Sequence, residues 1–214
     1  MEAPRFVAAY QRGVQAAGQD YRWHWRVHVG LWAAECAARL PGDFVECGVN
    51  YGFLSSAIMQ YLDWDTLGKQ FYLLDTFQGL DVRYVSEGER AGGIMEKNQK
   101  FIDMGFYAMN ADVVRRNFSE WRNTRIIEGA IPETLDQVES SQVAFLHIDL
   151  NCAPPEVAAL RHFWNRLVPG AMVLLDDYAF RGYRAQKLAM DELALELRVP
   201  IVSLPTGQGL LVKA

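Results

Sequence analysis

Three aspartates in the second half of the chain each follow directly on a short apolar run: Val143 to Ile148 precedes Asp149, and Met172 to Leu175 precedes the pair Asp176-Asp177. Runs of this length read as buried strands. Neighbouring strands lie ~4.8 Å apart, so carboxylates at their ends converge. At ~4 Å and an effective dielectric of ~20, each like-charged pair costs about 4 kcal/mol. A shared proton, an arginine (Arg181 and Arg184 are near in sequence) or a hard cation would neutralise them. Oxygen-only ligation favours the cation, and Mg²⁺ is expected at Asp149, Asp176 and Asp177. Such an ion keeps open positions, lowers the pKa of a bound hydroxyl and aligns it for group transfer. Asp149 is one candidate base for that hydroxyl. His147, two residues earlier and on the same strand face, is the other, although a histidine so placed is more often simply packed and hydrogen-bonded.

A second constellation lies earlier. Asp43 to Cys47 is a short apolar strand carrying Glu46, followed by Gly48, Gly52, Ser55 and an apolar helical run to Leu62. Glycines let backbone approach a ligand, and amides opening a helix hold an anionic group. Phe71 to Leu74 is the next strand, and Asp75 ends it, where a carboxylate can accept from both hydroxyls of a ribose. Tyr51, Thr76 and Phe77, in the loops beside these residues, are assigned to the same cofactor site, as is Gly129 after the strand Arg125 to Ile127. The loop reads Glu-x-Gly-x-x-x-Gly rather than Gly-x-Gly-x-x-Gly, which disfavours a dinucleotide and favours S-adenosylmethionine.

The elements that must position these residues alternate strand and helix, predicting an α/β Rossmann-like fold with a mostly parallel sheet. Ile201 to Leu204 and Leu210 to Val212, joined by Pro205-Thr206-Gly207-Gln208-Gly209, predict an antiparallel C-terminal hairpin. A leading helix is predicted from Tyr21 to Arg39, within an N-terminal helical region 1–40 whose first twenty or so residues have no clear pattern. On that helix His24 and His28 have a metal-binding spacing, but Arg22 and Arg26 beside them favour packing, as do Trp23, Trp25 and Trp32. Segment 81–111 is polar, with Gly88, Gly92 and Gly93 and no clear period before Lys97; it reads equally as a lid or as a surface insertion.

With 214 residues, 50% of them hydrophobic, one core and a single domain spanning 1–214 are expected. A net charge of −5 argues against a nucleic-acid partner. The absence of a long apolar stretch or a leader pattern argues against a membrane, leaving a cytoplasmic address as the expectation and a homo-oligomer open. Cys36, Cys47 and Cys152 are odd in number and scattered, which suits buried thiols.

Taken together, the motifs resemble the macrocin O-methyltransferase family, of the TylF/MycF type. The carriers are Gly42 to Val49, Leu74 to Leu80, Ile127-Glu128-Gly129, Leu146 to Asp149, Asp176-Asp177-Tyr178 and Gly207-Gln208-Gly209. The resemblance implies a seven-stranded class I methyltransferase sheet and a cofactor held at Glu46, Gly48, Ser55, Asp75 and the Gly129 region. It also implies Mg²⁺ at the three aspartates and a substrate contact near Gln208. One departure stands out: relatives usually follow the first aspartate with Gly-Asp and an aromatic, whereas this chain has Leu150-Asn151-Cys152. The expected activity is Mg²⁺-dependent methylation of a hydroxyl on a small molecule, such as a sugar or glycan. The competing readings are a nicotinamide-dependent oxidoreductase and a non-catalytic cofactor-binding module.

Overall fold

A computed structural model describes residues 1–214. Its seven strands are β1 (Asp43–Cys47), β2 (Phe71–Asp75), β3 (Thr124–Glu128), β4 (Val143–Ile148), β5 (Leu167–Leu175), β6 (Val202–Ser203) and β7 (Gly209–Val212). They form one sheet in the order β3-β2-β1-β4-β5-β7-β6. The first five pair in parallel, while β7 runs antiparallel to both β5 and β6, as the C-terminal hairpin required. The central strands are buried along their length; in β4 every residue is enclosed, which is why it reads as an unbroken apolar run. Connections leave β1 and β4 to opposite sides, so a crevice opens at the carboxyl ends of these two neighbours.

Eight helices cover the sheet: α1 (Pro4–Ala17), α2 (His24–Ala38), α3 (Phe53–Leu62), α4 (Glu87–Ala91), α5 (Ile94–Asp103), α6 (Ala111–Asn117), α7 (Ala153–Phe163) and α8 (Arg184–Leu197). The first, whose bounds give no clear pattern in the sequence, begins with proline at its first position, ends at Gly18 in a left-handed conformation and packs on α3. Small residues on α2 (Gly30, Ala33, Ala34, Ala37) are fully enclosed and let it lie close on β4, β5 and α3. His24 stacks on Tyr10 with ring centroids 4.0 Å apart, and His28 meets Phe6 and Trp25 edge-on, so both histidines pack. No helix is long and apolar enough to cross a membrane.

Segment 81–111 is not irregular. Ser86 and Glu89 form a reciprocal capping box opening α4, and α5 follows directly. Asn50 then ties the chain beyond α5 to the glycine loop, its Nδ2 donating to the Phe106 carbonyl at 3.0 Å and its Oδ1 accepting from the Ala108 amide at 2.7 Å.

Candidate functional site

A chamber opens over the carboxyl ends of β1, β2 and β4. Its walls include Glu46, Gly48, Tyr51, Asp75 and Thr76 from the expected cofactor set, and His147, Asp149, Asp176 and Gln208 from the expected acceptor end. Ser55, Phe77, Gly129 and Asp177 are not among the lining residues. Segment 81–111 supplies Tyr84, Phe106, Tyr107 and Ala108 to the lining.

Glu46 and His147 are register partners on β1 and β4, and both are buried. The imidazole Nδ1 lies 2.8 Å from Glu46 Oε1, and Nε2 lies 3.7 Å from Asp176 Oδ1. Burial disfavours the ring's charge, but the Asp176 and Glu46 carboxylates outweigh it and push its pKa up to about 10. The shift favours the protonated ring, and Nε2, 3.7 Å from Asp176, makes no hydrogen bond. Glu46 Oε2 is also buried and has no partner. A carboxylate oxygen enclosed without a donor is costly, and here it marks a place for a cationic or N–H group of a ligand.

Gly48 has φ 92°, and a Cβ built on it would stand 1.8 Å from the carbonyl oxygen of Asp149. The glycine is needed first because the ends of β1 and β4 touch there, with the Asp149 amide donating to the Cys47 carbonyl at 2.8 Å. Gly52 (φ 83°) is likewise crowded, by the Phe118 ring, and it is not among the lining residues. The Ser56 amide already donates to the Gly52 carbonyl at 3.0 Å, so it is not free for an anion. The Ser55 hydroxyl is buried without a partner.

Asp75 organises its surroundings. Its Oδ2 accepts from the Val49 and Asn50 amides at 2.7 and 2.8 Å, and Oδ1 accepts from the Phe77 amide at 2.8 Å. Each carboxylate oxygen has two lone pairs, so Oδ1 keeps one for a ligand hydroxyl while Oδ2 is fully used. The expected bidentate hold on a ribose therefore reduces to one oxygen.

At the other end the three aspartates come together beside an arginine. Arg26, from α2, donates through Nη2 to Asp176 Oδ2 and to the Asp176 carbonyl, and it lies 3.4 Å from Asp177 Oδ1. Gln208 Nε2 donates to Asp176 Oδ1 at 2.8 Å, so both oxygens of that carboxylate are engaged. Asp149 Oδ1 accepts from Asn151 Nδ2 at 3.3 Å. No group of three His, Cys, Asp or Glu side chains is disposed to hold an ion. Mg²⁺ at Asp149, Asp176 and Asp177 is not shown; of the three ways to neutralise the cluster, an arginine is present. It is Arg26, read as a packing residue, and not Arg181 or Arg184.

The cluster's electrostatics follow. Burial opposes ionisation of Asp176, but Arg26, His147 and Gln208 hold its carboxyl well below the usual range. Burial and the Asp176 charge push Asp177 up to about 6. Enclosure and both neighbouring carboxylates raise Asp149 well above an ordinary aspartate. Lys97 of α5 contacts the Tyr183 hydroxyl, which donates to Asn151 Oδ1 at 2.6 Å. Burial lowers the Lys97 pKa, against the pull of Asp177 and Asp149. From sequence, Arg26 reads only as a packing residue and Lys97 has no assigned role.

The family described as Macrocin-O-methyltransferase (TylF) matches residues 32–200. A tetracenomycin-C-type 4'-O-methyltransferase, acting on the 8-demethyl-8-(2,3-dimethoxy-alpha-L-rhamnosyl) form, from Streptomyces olivaceus is 25% identical over 153 residues, 68% of this chain and 56% of that protein. The chain thus spans little more than half the length of that relative. Mycinamicin III 3''-O-methyltransferase from Micromonospora griseorubida is 24% identical over 196 residues, 83% of this chain and 74% of that protein. Among solved structures, the O-methyltransferase NovP superposes with a TM-score of 0.75 at 21% identity, covering 88% of this chain and 79% of NovP. That likeness shows the class I methyltransferase fold.

Proposed function

Because the chain belongs to the macrocin O-methyltransferase family, we propose that it transfers a methyl group from S-adenosylmethionine to a hydroxyl of a small molecule, a sugar or a sugar-bearing natural product. The observation that carries this reading is the buried, partnerless Oε2 of Glu46 on the chamber wall. The α-amino group of a methionine moiety would satisfy it with a charge-assisted hydrogen bond. The free lone pair of Asp75 Oδ1 would take one ribose hydroxyl, and Leu80, Ala130 and Ile131 offer apolar surface for a purine. Two of the curated relatives are named as O-methyltransferases, one of a rhamnosyl-bearing tetracenomycin and one of mycinamicin III, which supports the acceptor class.

The bound donor presents an electrophilic methyl carbon on a sulfonium. Asp149, on the chamber wall, accepts the acceptor's proton, while Gln208 holds Asp176 in place beside it and His147 faces Asp176 at 3.7 Å. Tyr107 and segment 81–111 cover the chamber, a position suited to excluding water during transfer. Magnesium is not carried into this proposal, since Arg26 engages the oxygens it would need.

A nicotinamide cofactor is the competing ligand, and the missing Gly-x-Gly-x-x-Gly fingerprint weighs against it. Thermal unfolding with each ligand separates the two, because a ligand binding the native state raises the midpoint. S-adenosylhomocysteine should raise Tm and NAD should not. The reverse ordering would overturn the assignment.

A further inference from the structure

The acidic cluster at the ends of β4 and β5 already contains a cation of the chain's own. The Arg26 side chain is 11% exposed, and its guanidinium is flanked by the Trp23 ring at 5.4 Å and the Phe180 ring at 4.9 Å. It bonds a carboxylate oxygen and the carbonyl oxygen of Asp176 and approaches Asp177 Oδ1. Two of these are carboxylate oxygens of the kind a divalent ion would take, and two cations cannot share them without strong repulsion. All three contacts come from the one nitrogen Nη2, and the two nearby aromatic rings suit a guanidinium rather than a hydrated ion. In the neighbouring loop the neutral Asn151 donates to Asp149 and accepts from Tyr183.

We propose that Arg26 is the resident cation of this site, standing in place of a divalent ion, and that methyl transfer here proceeds without bound metal. The transfer step rests on the methyl-donor reading above; the identity of the cation does not. In that step the acceptor oxygen bonds to the methyl carbon as the carbon–sulfur bond breaks with its electron pair going to sulfur, and the acceptor's proton passes to the Asp149 carboxylate. Arg26 acts as a positioning residue, fixing Asp176 and Asp177 beside the chamber. A divalent ion would have to displace it to reach them.

Titrating the full chain with Mn²⁺, followed by electron paramagnetic resonance, tests this without knowledge of the acceptor. S-adenosylhomocysteine binding is measured on the same samples, so that failure of the methyl-donor reading is seen separately. Wild type and Arg26→Lys should hold no stoichiometric Mn²⁺ at millimolar metal, whereas Arg26→Met should gain one site, roughly tenfold or more tighter than any wild-type binding, because it frees uncompensated carboxylates. Stoichiometric Mn²⁺ in wild type, lost in Asp176→Asn, would overturn the proposal. So would an Arg26→Met protein that still binds S-adenosylhomocysteine yet takes up no more Mn²⁺ than wild type. Should Arg26→Met fail to fold, the wild-type titration decides alone: no site upholds the proposal, and a stoichiometric one overturns it.

Discussion

His147 Nδ1 sits 2.8 Å from Glu46 Oε1, and the same ring reaches toward Asp176, so one imidazolium ties the cofactor end of the chamber to the acidic end. The pairing joins adjacent strands at matched register, which fixes the spacing of the two half-sites through the sheet itself.

This tie should make stability fall in alkali. With an unfolded pKa of 6.5 and a folded one of about 10, the folded state binds more protons between these values. The contribution is therefore fully present below 6.5 and is lost as pH rises through about 10. Urea unfolding at pH 7 and pH 10 should show a larger loss for wild type than for His147→Asn. At pH 7, His147→Leu should cost roughly 3–5 kcal/mol, because it leaves buried carboxylates uncompensated. Equal pH slopes for wild type and His147→Asn would contradict the pairing.

Gly48→Ala should be far more damaging than a turn substitution ordinarily is. The added methyl would meet the Asp149 carbonyl at 1.8 Å on a backbone with φ 92°, so β1 and β4 must separate. A destabilisation of roughly 3 kcal/mol or more, with loss of ligand binding, is expected by circular dichroism and calorimetry. Gly18→Ala, which meets nothing within 4 Å although its φ is 70°, should cost only about 1 kcal/mol.

Glu89 anchors segment 81–111. Its Oε2 accepts from the Ser86 amide and hydroxyl at 3.0 and 2.6 Å, and its Oε1 accepts from the Ala153 amide at the start of α7, 2.7 Å away. Glu89→Ala removes a cap and orphans a buried amide, at a cost of roughly 1–3 kcal/mol. Limited proteolysis should then cut between residues 82 and 93 several-fold faster, while the core remains protected. Unchanged cleavage would show that the segment is held by other contacts.

Much of this architecture was readable from residue order. Buried parallel strands announce themselves as apolar runs ended by carboxylates, and β1, β2 and β4 were placed to within a residue. Helix α1 falls within the expected helical region 1–40, but its bounds give no clear pattern although Pro4 and Gly18 bracket it, because its buried residues Phe6, Ala9, Tyr10, Gly13 and Ala16 include small ones that dilute the period. The capping signature Ser86-x-x-Glu89 lay in the segment that read as irregular, where glycines masked two short helices.

The acidic cluster was legible as a problem in charge, but its solution was not. Arg26 lies on one stripe with Gly30, Ala33 and Ala37, all enclosed against the sheet, so spacing alone turned its side chain inward. What the spacing could not give was the packing of α2 across β5, which sets this arginine beside carboxylates 150 positions further along. Likewise Gly48 and Asp75 showed their importance by type and place, while their bonding within the protein emerged only from the fold.

Calorimetric titration of S-adenosylhomocysteine into wild type and Glu46→Gln probes the methyl-donor chamber most directly. Wild type should bind one equivalent, and Glu46→Gln, with the carboxylate charge removed and its shape kept, should bind at least about tenfold more weakly at unchanged stoichiometry, in keeping with a charge-assisted hydrogen bond of ~1.5–3 kcal/mol. No binding to wild type, or equal affinity in the two proteins, would contradict the placement of the donor at Glu46.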